Sequence, residues 1–384
     1  MTQRRSIFEE VATPQPAAPK AQPPGGGAAR EDRARRAARV WLWMLFALVA
    51  LMVAVGGLTR LTGSGLSITE WRPIAGALPP LTAEDWAAEF DRYRAIPQYQ
   101  LLNAGMSLAE FKVIYWWEWG HRQLGRLVGL VWALGLAALW LSGRLPRGWA
   151  GRFFALGALG GLQGAIGWWM VASGLTEGML AVAAYRLSVH LGLAFVILGL
   201  IWWFILRLSR SAPDLMQARR AREGALAGWG GVLVAGVFLQ IVIGALVAGN
   251  GAGRVYVDWP LMHGVFFPPE ALELSPVWRN AFENPALVQF AHRMAGYALV
   301  VPGLVVWALG RRSPHPATRK AGHLLALVLL AQVVLGIVTL MHGAPMALAL
   351  AHQLLGLGLW VVVLRLRHLA LYPRMASLRD GGRG

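Results

Sequence analysis

Four histidines of this chain lie near the start of hydrophobic stretches and recur at matching places in its two halves. The segment EWGHRQLGRLVGLVWALGLAALW around His121 parallels VQFAHRMAGYALVVPGLVVWALG around His292, so that a His-Arg pair recurs with a glycine four residues after the histidine. His190 and His352 form the second matching pair. Two facing helices that each present one imidazole at the same depth can clamp a haem iron from both sides. The pattern predicts two haem sites, with His121 and His190 in one and His292 and His352 in the other.

Small residues follow these histidines, because the residue four positions later is in each case glycine or alanine: Gly125, Ala194, Gly296 and Gly356. On a helix this residue lies one turn further along the same face. A flat porphyrin against the helix needs a small side chain there, which favours haem over a bare metal ion. An interhelical hydrogen bond is the alternative for any single intramembrane histidine. An auxiliary role for His342, at the outer end of a span, stays open, and so does the role of His263 in an outer loop.

Glu118 distinguishes the two halves, because it precedes His121 by three residues and its counterpart in the second half is Gln289. If the helix begins early enough, the carboxylate and the imidazole share a face. One site then has an ionisable group beside its iron and the other a neutral amide, as expected of one reactive site and one electron-transfer site. The alternative is that Glu118 only complements the positive end of its helix.

Arginines near these histidines are candidates for binding haem propionates, since guanidinium groups pair with carboxylates through two hydrogen bonds. Arg122 and Arg293 are favoured because they occupy equivalent positions in the two halves. Snorkelling to the membrane interface is the alternative for any single arginine, including Arg60, Arg126 and Arg186. For Gln163 and Gln332 we expect hydrogen bonds between helices.

The composition places the chain in a bilayer, with 56% hydrophobic residues, 19 tryptophans and only 14% charged residues. The net charge of +17 lies between apolar runs rather than in one patch, which argues against a nucleic-acid partner. The sequence has no cysteine, which excludes disulfides, thiolate metal sites, iron–sulfur clusters and covalent c-type haem attachment.

Hydrophobic runs long enough to cross a bilayer predict an all-α integral membrane protein with eight transmembrane helices, near 40–60, 119–141, 153–172, 185–206, 225–248, 288–309, 321–341 and 349–370. Since the halves align span by span, we expect two tandem, pseudo-symmetric four-helix bundles. Residues 40–206 form the first bundle with a long outer loop at 61–118, residues 207–224 a cytoplasmic linker, and residues 225–370 the second bundle. Residues 1–39 are expected to be a disordered cytoplasmic tail and 371–384 a second cytoplasmic tail.

Most of the 36 Lys and Arg residues fall in the tails and in the short loops on one side. The positive-inside rule therefore places both termini in the cytoplasm. Acidic residues in the N-terminal tail argue against a mitochondrial transit peptide, so we expect a multi-pass protein of the bacterial inner membrane.

Several motifs resemble those of the haem A synthase family of cytochrome oxidase assembly: GGLTRLTGSGLSITEWRPIAGALPPL at 56–81, IPQY at 96–99, FKVIYWWEWGHRQLGR at 111–126 and FAHRMAGY at 290–297. The resemblance covers residues from about 40 to 370 and all four histidines. It implies that haem O is the substrate, and that successive hydroxylations convert its C8 methyl group to a formyl group, giving haem A for cytochrome c oxidase. Because it has no cysteine, the chain resembles the proteobacterial and mitochondrial branch of the family. A thiol relay therefore cannot be essential for its reaction.

Carried onto this sequence, the resemblance implies that His121 and His190 bind the substrate haem and that Glu118 assists its oxidation. It implies that His292 and His352 bind a haem b that passes electrons. Expected partners are haem O synthase as substrate donor, quinone or another electron acceptor, and the lipid bilayer, with a homo-oligomer left open.

Two other functions share part of this pattern. A di-haem b-type cytochrome that exchanges electrons with quinone would have the same four ligands, but it has no need for Glu118 in one half only or for the motif at 56–81. A transporter can also contain repeated four-span units, but transporters usually have helices interrupted at mid-membrane.

Overall fold

The computed structural model describes residues 26–374, in which eight helices are long and apolar enough to cross a membrane. Four shorter helices connect them: α2 (Ala83–Arg94), α3 (Pro97–Leu102), α7 (Ala212–Arg220) and α9 (Asn280–Glu283). The eight long helices are α1 (Gly26–Leu61), α4 (Leu108–Leu141), α5 (Ala150–Gly174), α6 (Ala184–Leu208), α8 (Gly224–Gly249), α10 (Pro285–Arg311), α11 (Pro316–Met341) and α12 (Met346–Leu371). The predicted all-α, multi-pass membrane fold is confirmed, and each predicted span lies on one of these helices.

The N-terminal helix begins earlier than hydropathy predicts. Disorder was expected through residue 39, but α1 starts at Gly26, so this prediction is wrong for 26–39; residues 1–25 and 375–384 lie outside the described range. The segment is rich in Ala and Arg, which are strong helix formers. Ala34 and Ala38 are also buried against the rest of the protein. A polar helix of this kind carries no hydrophobic run by which a span could be recognised.

The second long helix also extends beyond its predicted span, because α4 begins at Leu108. Ser107 and Glu110 form a reciprocal capping box at its start. Glu118 therefore lies nearly three turns inside the helix. The alternative that Glu118 merely complements the positive end of its helix is wrong, since Glu110 is the carboxylate in the first turn.

The two long segments predicted to lie on the outer side, called the outer segments below, are both folded. The first runs from residue 62 to 107, shorter than the predicted 61–118, and contains α2 and α3. Its aromatic side chains Trp86 and Tyr93 are buried together with Phe111 and Tyr115 of α4. The second, residues 250–284, buries Tyr256 and other side chains against the start of α10. Each outer segment is thus packed on the helix that carries the first histidine of its half.

The four long helices of each half contact one another in a ring. In the first half α1 and α5 each contact both α4 and α6, and in the second half α8 and α11 each contact both α10 and α12. The halves meet where α6 contacts α8 and α12, and where α1 contacts α12. The indole of Trp202 donates a hydrogen bond to the carbonyl of Val361 (3.0 Å), and that of Trp360 donates to the carbonyl of Phe195 (3.0 Å). One apolar core runs through both halves. The predicted linker 207–224 contains α7.

Candidate haem sites

The four histidines fall into two pairs by half, as expected. His121 on α4 lies within electrostatic range of His190 on α6, and His292 on α10 lies within that of His352 on α12. All four side chains are half-buried. The structure therefore brings together the imidazoles that were predicted to share an iron.

Each histidine lies directly against a glycine of the preceding long helix. A methyl group in place of the glycine hydrogen would lie 2.9–3.1 Å from the nearest imidazole atom, which is too close for an ordinary contact. The pairs are Gly56 with His121, Gly167 with His190, Gly244 with His292, and Gly336 with His352. A side chain at any of these positions would therefore force the neighbouring imidazole to shift.

A glutamine lies four residues before three of these glycines and bonds the neighbouring histidine. The Nε2 atoms of Gln163 and Gln240 each donate to the backbone carbonyl of their histidine (3.0 Å) and lie 3.1 Å from its Nδ1 atom. Gln332 donates to the carbonyl of His352 (3.1 Å). The interhelical hydrogen bonds predicted for Gln163 and Gln332 are confirmed. Sequence reasoning missed Gln240, although a glutamine four residues before a glycine recurs at 163, 240 and 332.

The atoms around the imidazoles fit haem ligation. The Oε1 atoms of Gln163, Gln240 and Gln332 are buried without a hydrogen-bond partner in residues 26–374, and so is Nδ1 of His352. An imidazole that binds iron through Nε2 carries a proton on Nδ1, which needs an acceptor. Each glutamine offers such an acceptor beside its histidine, so the residues present suit a haem held by paired imidazoles.

Three of the small residues that follow the histidines face the residues that precede the contacting glycines by four positions. A methyl group on Gly296 would lie 3.3 Å from Nε2 of Gln240, and one on Gly356 would lie 3.3 Å from Nε2 of Gln332. At Gly125 the methyl group would lie 3.4 Å from Cε of Met52. That a porphyrin plane lies against these residues remains a prediction.

Glu118 is buried, with 3% of its surface exposed, and its carboxylate is fully hydrogen-bonded. It accepts from the hydroxyl of Ser67 (2.7 Å) and from the backbone amide of Ile68 (2.8 Å). Arg122, one turn later on α4, donates to it from Nη2 (2.6 Å) and Nε (3.1 Å). The carboxylate therefore fixes the start of the outer segment onto the helix that carries His121.

The corresponding residues of the second half form a similar clamp with the opposite polarity. Gln289 accepts from Nη2 of Arg293 (2.9 Å), but its amide nitrogen donates to the carbonyls of Ala252 (2.7 Å) and Tyr256 (3.1 Å). The first outer segment thus presents donors to a carboxylate, whereas the second presents acceptors to an amide. The difference between Glu118 and Gln289 is matched by the loops that contact them.

The candidate arginines bind backbone carbonyls in this structure. Arg122 donates to Ile68 and Glu70, and Arg293 to Leu261 and Tyr256. The Nε atom of Arg293 is buried and has no partner in residues 26–374, so it retains a free donor. The other three also bind carbonyls: Arg60 that of Gly249, Arg126 those of Arg72 and Pro73, and Arg186 that of Trp169. Propionate binding by Arg122 and Arg293 stays a prediction.

The two further histidines have local partners. The Nδ1 atom of His342 lies 2.8 Å from the carbonyl of Val338 at the end of α11. The backbone amide of His263 donates to Asp258 (2.9 Å), and its ring packs against Tyr256. These contacts belong to a helix end and to an outer loop.

An open groove of about 460 Å³ lies between α1 and α4. Its walls are mostly apolar side chains and a glycine. The lining residues are Val55, Trp116, Trp117, Gly120, Gln123, Leu124 and Leu127.

Comparison with known proteins confirms the resemblance. Residues 39–364 match the family described as cytochrome oxidase assembly protein. A protein named heme A synthase from Dinoroseobacter shibae is 59% identical over 379 residues, which cover 99% of each chain. Proteins of the same name from Ruegeria pomeroyi and Cereibacter sphaeroides (strain KD131) are 58% and 56% identical over 381 and 389 residues, covering at least 98% of both chains. This chain belongs to the cytochrome oxidase assembly protein family.

Proposed function

We propose that this chain is a haem A synthase, an oxidoreductase that converts the C8 methyl group of haem O to a formyl group. The observation that carries the proposal is the asymmetry of two otherwise equivalent sites. Glu118 places a buried carboxylate three residues before His121, whereas the second half has the neutral Gln289 there. The near full-length similarity of this chain to proteins named heme A synthase supports the same reaction.

His121 and His190 bind the substrate haem in the first half. His292 and His352 hold a resident haem b, which supplies a route for electrons when bound. All four imidazoles already lie against glycines, and those of His190, His292 and His352 lie beside glutamine amides, so little rearrangement of the backbone is needed. Arg122 and Arg293 are placed to meet propionates at the outer end of each site.

Glu118 acts on the substrate through its charge. Its four hydrogen bonds hold the carboxylate in one orientation, so it need not reorganise as positive charge develops next to the reacting methyl group. Arg122 is a positioning residue in this scheme, since it bonds Glu118 and two loop carbonyls. No comparable charge exists at Gln289.

Haem O reaches the first site from the bilayer through the groove between α1 and α4. The groove is lined by Trp116, Trp117 and Leu127 among others, which suits an apolar macrocycle. Haem O synthase is the expected donor and quinone the expected electron acceptor. The protein lies in the bacterial inner membrane with both termini in the cytoplasm, because the basic residues cluster on that side.

Expression in a host that makes haem O but no haem A tests this function. Haems extracted from the purified protein are separated by chromatography and identified by mass. We expect haem A to appear with the wild type and to be absent from a His121→Ala variant. Stoichiometric haem B alone, despite available haem O, would contradict the proposal and favour a di-haem cytochrome that exchanges electrons with quinone.

A further inference from the structure

The repeating unit of this structure is smaller than a half. Each of the four pairs of consecutive long helices has a glycine on its first helix and the histidine that contacts it on its second. In three pairs a glutamine lies four residues before the glycine. In the first pair, α1 and α4, this place is taken by Met52.

Met52 occupies the same position in space as the glutamines. A methyl group on Gly125 would meet Cε of Met52 at 3.4 Å, just as methyl groups on Gly296 and Gly356 would meet the glutamine amides at 3.3 Å. The equivalence is therefore one of contact as well as of sequence spacing.

The glutamines contribute an acceptor that methionine lacks. Each glutamine holds the carbonyl of its histidine through Nε2 and keeps a buried, unpartnered Oε1 atom. Rotation of the amide exchanges Nε2 for Oε1. The glutamine then gives up its bond to the carbonyl and brings oxygen about as close to Nδ1 as the nitrogen is now, at 3.1 Å for His190 and His292. Such a hydrogen bond orients a metal-bound imidazole and raises its basicity. A thioether is only a weak acceptor, and the His121 imidazole has no hydrogen-bond partner within residues 26–374.

We propose that Met52 makes His121 the weakly held ligand of the first site, so that the haem bound there exchanges, whereas Gln240 and Gln332 retain the haem of the second site. Both ligands of the second site have a glutamine, but in the first site only His190 has one, namely Gln163. This inference rests on the proposed function, in which a substrate haem must leave as product while a cofactor haem stays. Met52, Gln163, Gln240 and Gln332 are positioning residues, because they act through the histidines.

The test is the rate at which haem B bound to the purified, full-length protein transfers to excess apomyoglobin. We expect two phases in the wild type, a fast one from the first site and a slow one from the second. Met52→Gln should slow the fast phase by about ten-fold, within the range found for partners of metal ligands. Gln240→Met should accelerate the slow phase by a similar factor, and Met52→Leu, which restores no acceptor, should leave the fast phase unchanged.

Electron paramagnetic resonance of the oxidised protein separates this role from a merely structural one. Met52→Gln should shift the signal of one low-spin haem only, and Gln240→Met should shift that of the other. Unchanged release with Met52→Gln, or haem loss from that variant, would overturn the inference. If Gln240→Met fails to fold, Met52→Gln alone decides. Because the assay uses haem B and requires no turnover, it gives an answer whether or not the protein makes haem A.

Discussion

The buried carboxylate of Glu118 and the partly buried guanidinium of Arg122, one turn apart on α4, form an ion pair that holds the first outer segment over the helix carrying His121. The ion pair therefore fixes the carboxylate that we propose acts on the substrate. Gln289 and Arg293 repeat the contact in the second half, with a neutral amide in place of the carboxylate.

Removing Arg122 should destabilise the protein more than removing a neighbouring arginine. In Arg122→Met the carboxylate of Glu118 stays buried without its counter-charge, which costs about 3–5 kcal/mol. Arg126→Met is the matched control, since Arg126 lies on the same helix and bonds only backbone carbonyls. Thermal unfolding in detergent should show a clearly larger loss for Arg122→Met. Equal losses would mean that the ion pair contributes nothing specific.

Adding a methyl group beside His190 should displace its imidazole. Gly167→Ala would place a methyl group 3.0 Å from Cε1 of that ring, so we expect the haem of the first site to be lost. Gly160→Ala on the same helix meets no atom within 4 Å and should be neutral, or stabilising by up to about 1 kcal/mol. Haem content per chain, from absorbance and protein assay, distinguishes the two variants. Full haem content in Gly167→Ala would show that the close contact does not matter.

A negative charge at position 289 should destabilise the protein, because the segment 250–284 presents hydrogen-bond acceptors to this side chain. In Gln289→Glu, a carboxylate would face the carbonyls of Ala252 and Tyr256, and the loss of two buried donors costs about 1–3 kcal/mol. We expect a lower melting temperature and faster proteolysis of the segment 250–284. Gln353→Glu is a useful comparison, because it removes one donor, to the carbonyl of Val53 on α1 rather than to a carbonyl of this loop. Proteolysis at 250–284 in both variants alike would argue against a local clamp.

Asp258 should make the second outer segment sensitive to acid. The backbone amides of His263 and Gly264 donate to its carboxylate, and they hold the pKa of Asp258 below its ordinary value. A depressed folded-state pKa contributes stability above the unfolded value of about 3.9, and this is lost as the pH falls through the folded value. Hydrogen exchange at His263 and Gly264, corrected for intrinsic rates, should therefore rise in this acidic window. Asp258→Asn should show the faster exchange already at neutral pH. An unchanged exchange rate in this variant would mean that the hydrogen bonds to Asp258 do not stabilise the loop.

The spans, the paired histidines and the difference between Glu118 and Gln289 could be predicted because the two halves of the sequence can be aligned with each other. Hydropathy identifies eight apolar runs, and the spacing of the histidines repeats between halves. The start of α1 could not be found in this way, because residues 26–39 form a polar helix whose burial depends on tertiary contacts at Ala34 and Ala38.

The partners of polar side chains were beyond sequence reasoning. Arg122 and Arg293 bond carbonyls of outer segments whose backbone course no local pattern specifies. Gln240 is one of several polar residues in spans, and only its contact with His292 shows that it repeats the role of Gln163. Met52 could not be recognised from the sequence, because a methionine is common in an apolar helix. Its position becomes informative only when the three equivalent glutamines are known.

The most direct test of the central claim, that Glu118 acts on substrate bound in the first half, compares wild type, Glu118→Gln and Glu110→Gln in a host producing haem O. Glu110 lies on the same helix but only caps its start. We predict that Glu118→Gln retains bound haem O yet yields at least ten times less haem A than the wild type, while Glu110→Gln yields haem A normally. Normal haem A formation by Glu118→Gln would contradict the claim.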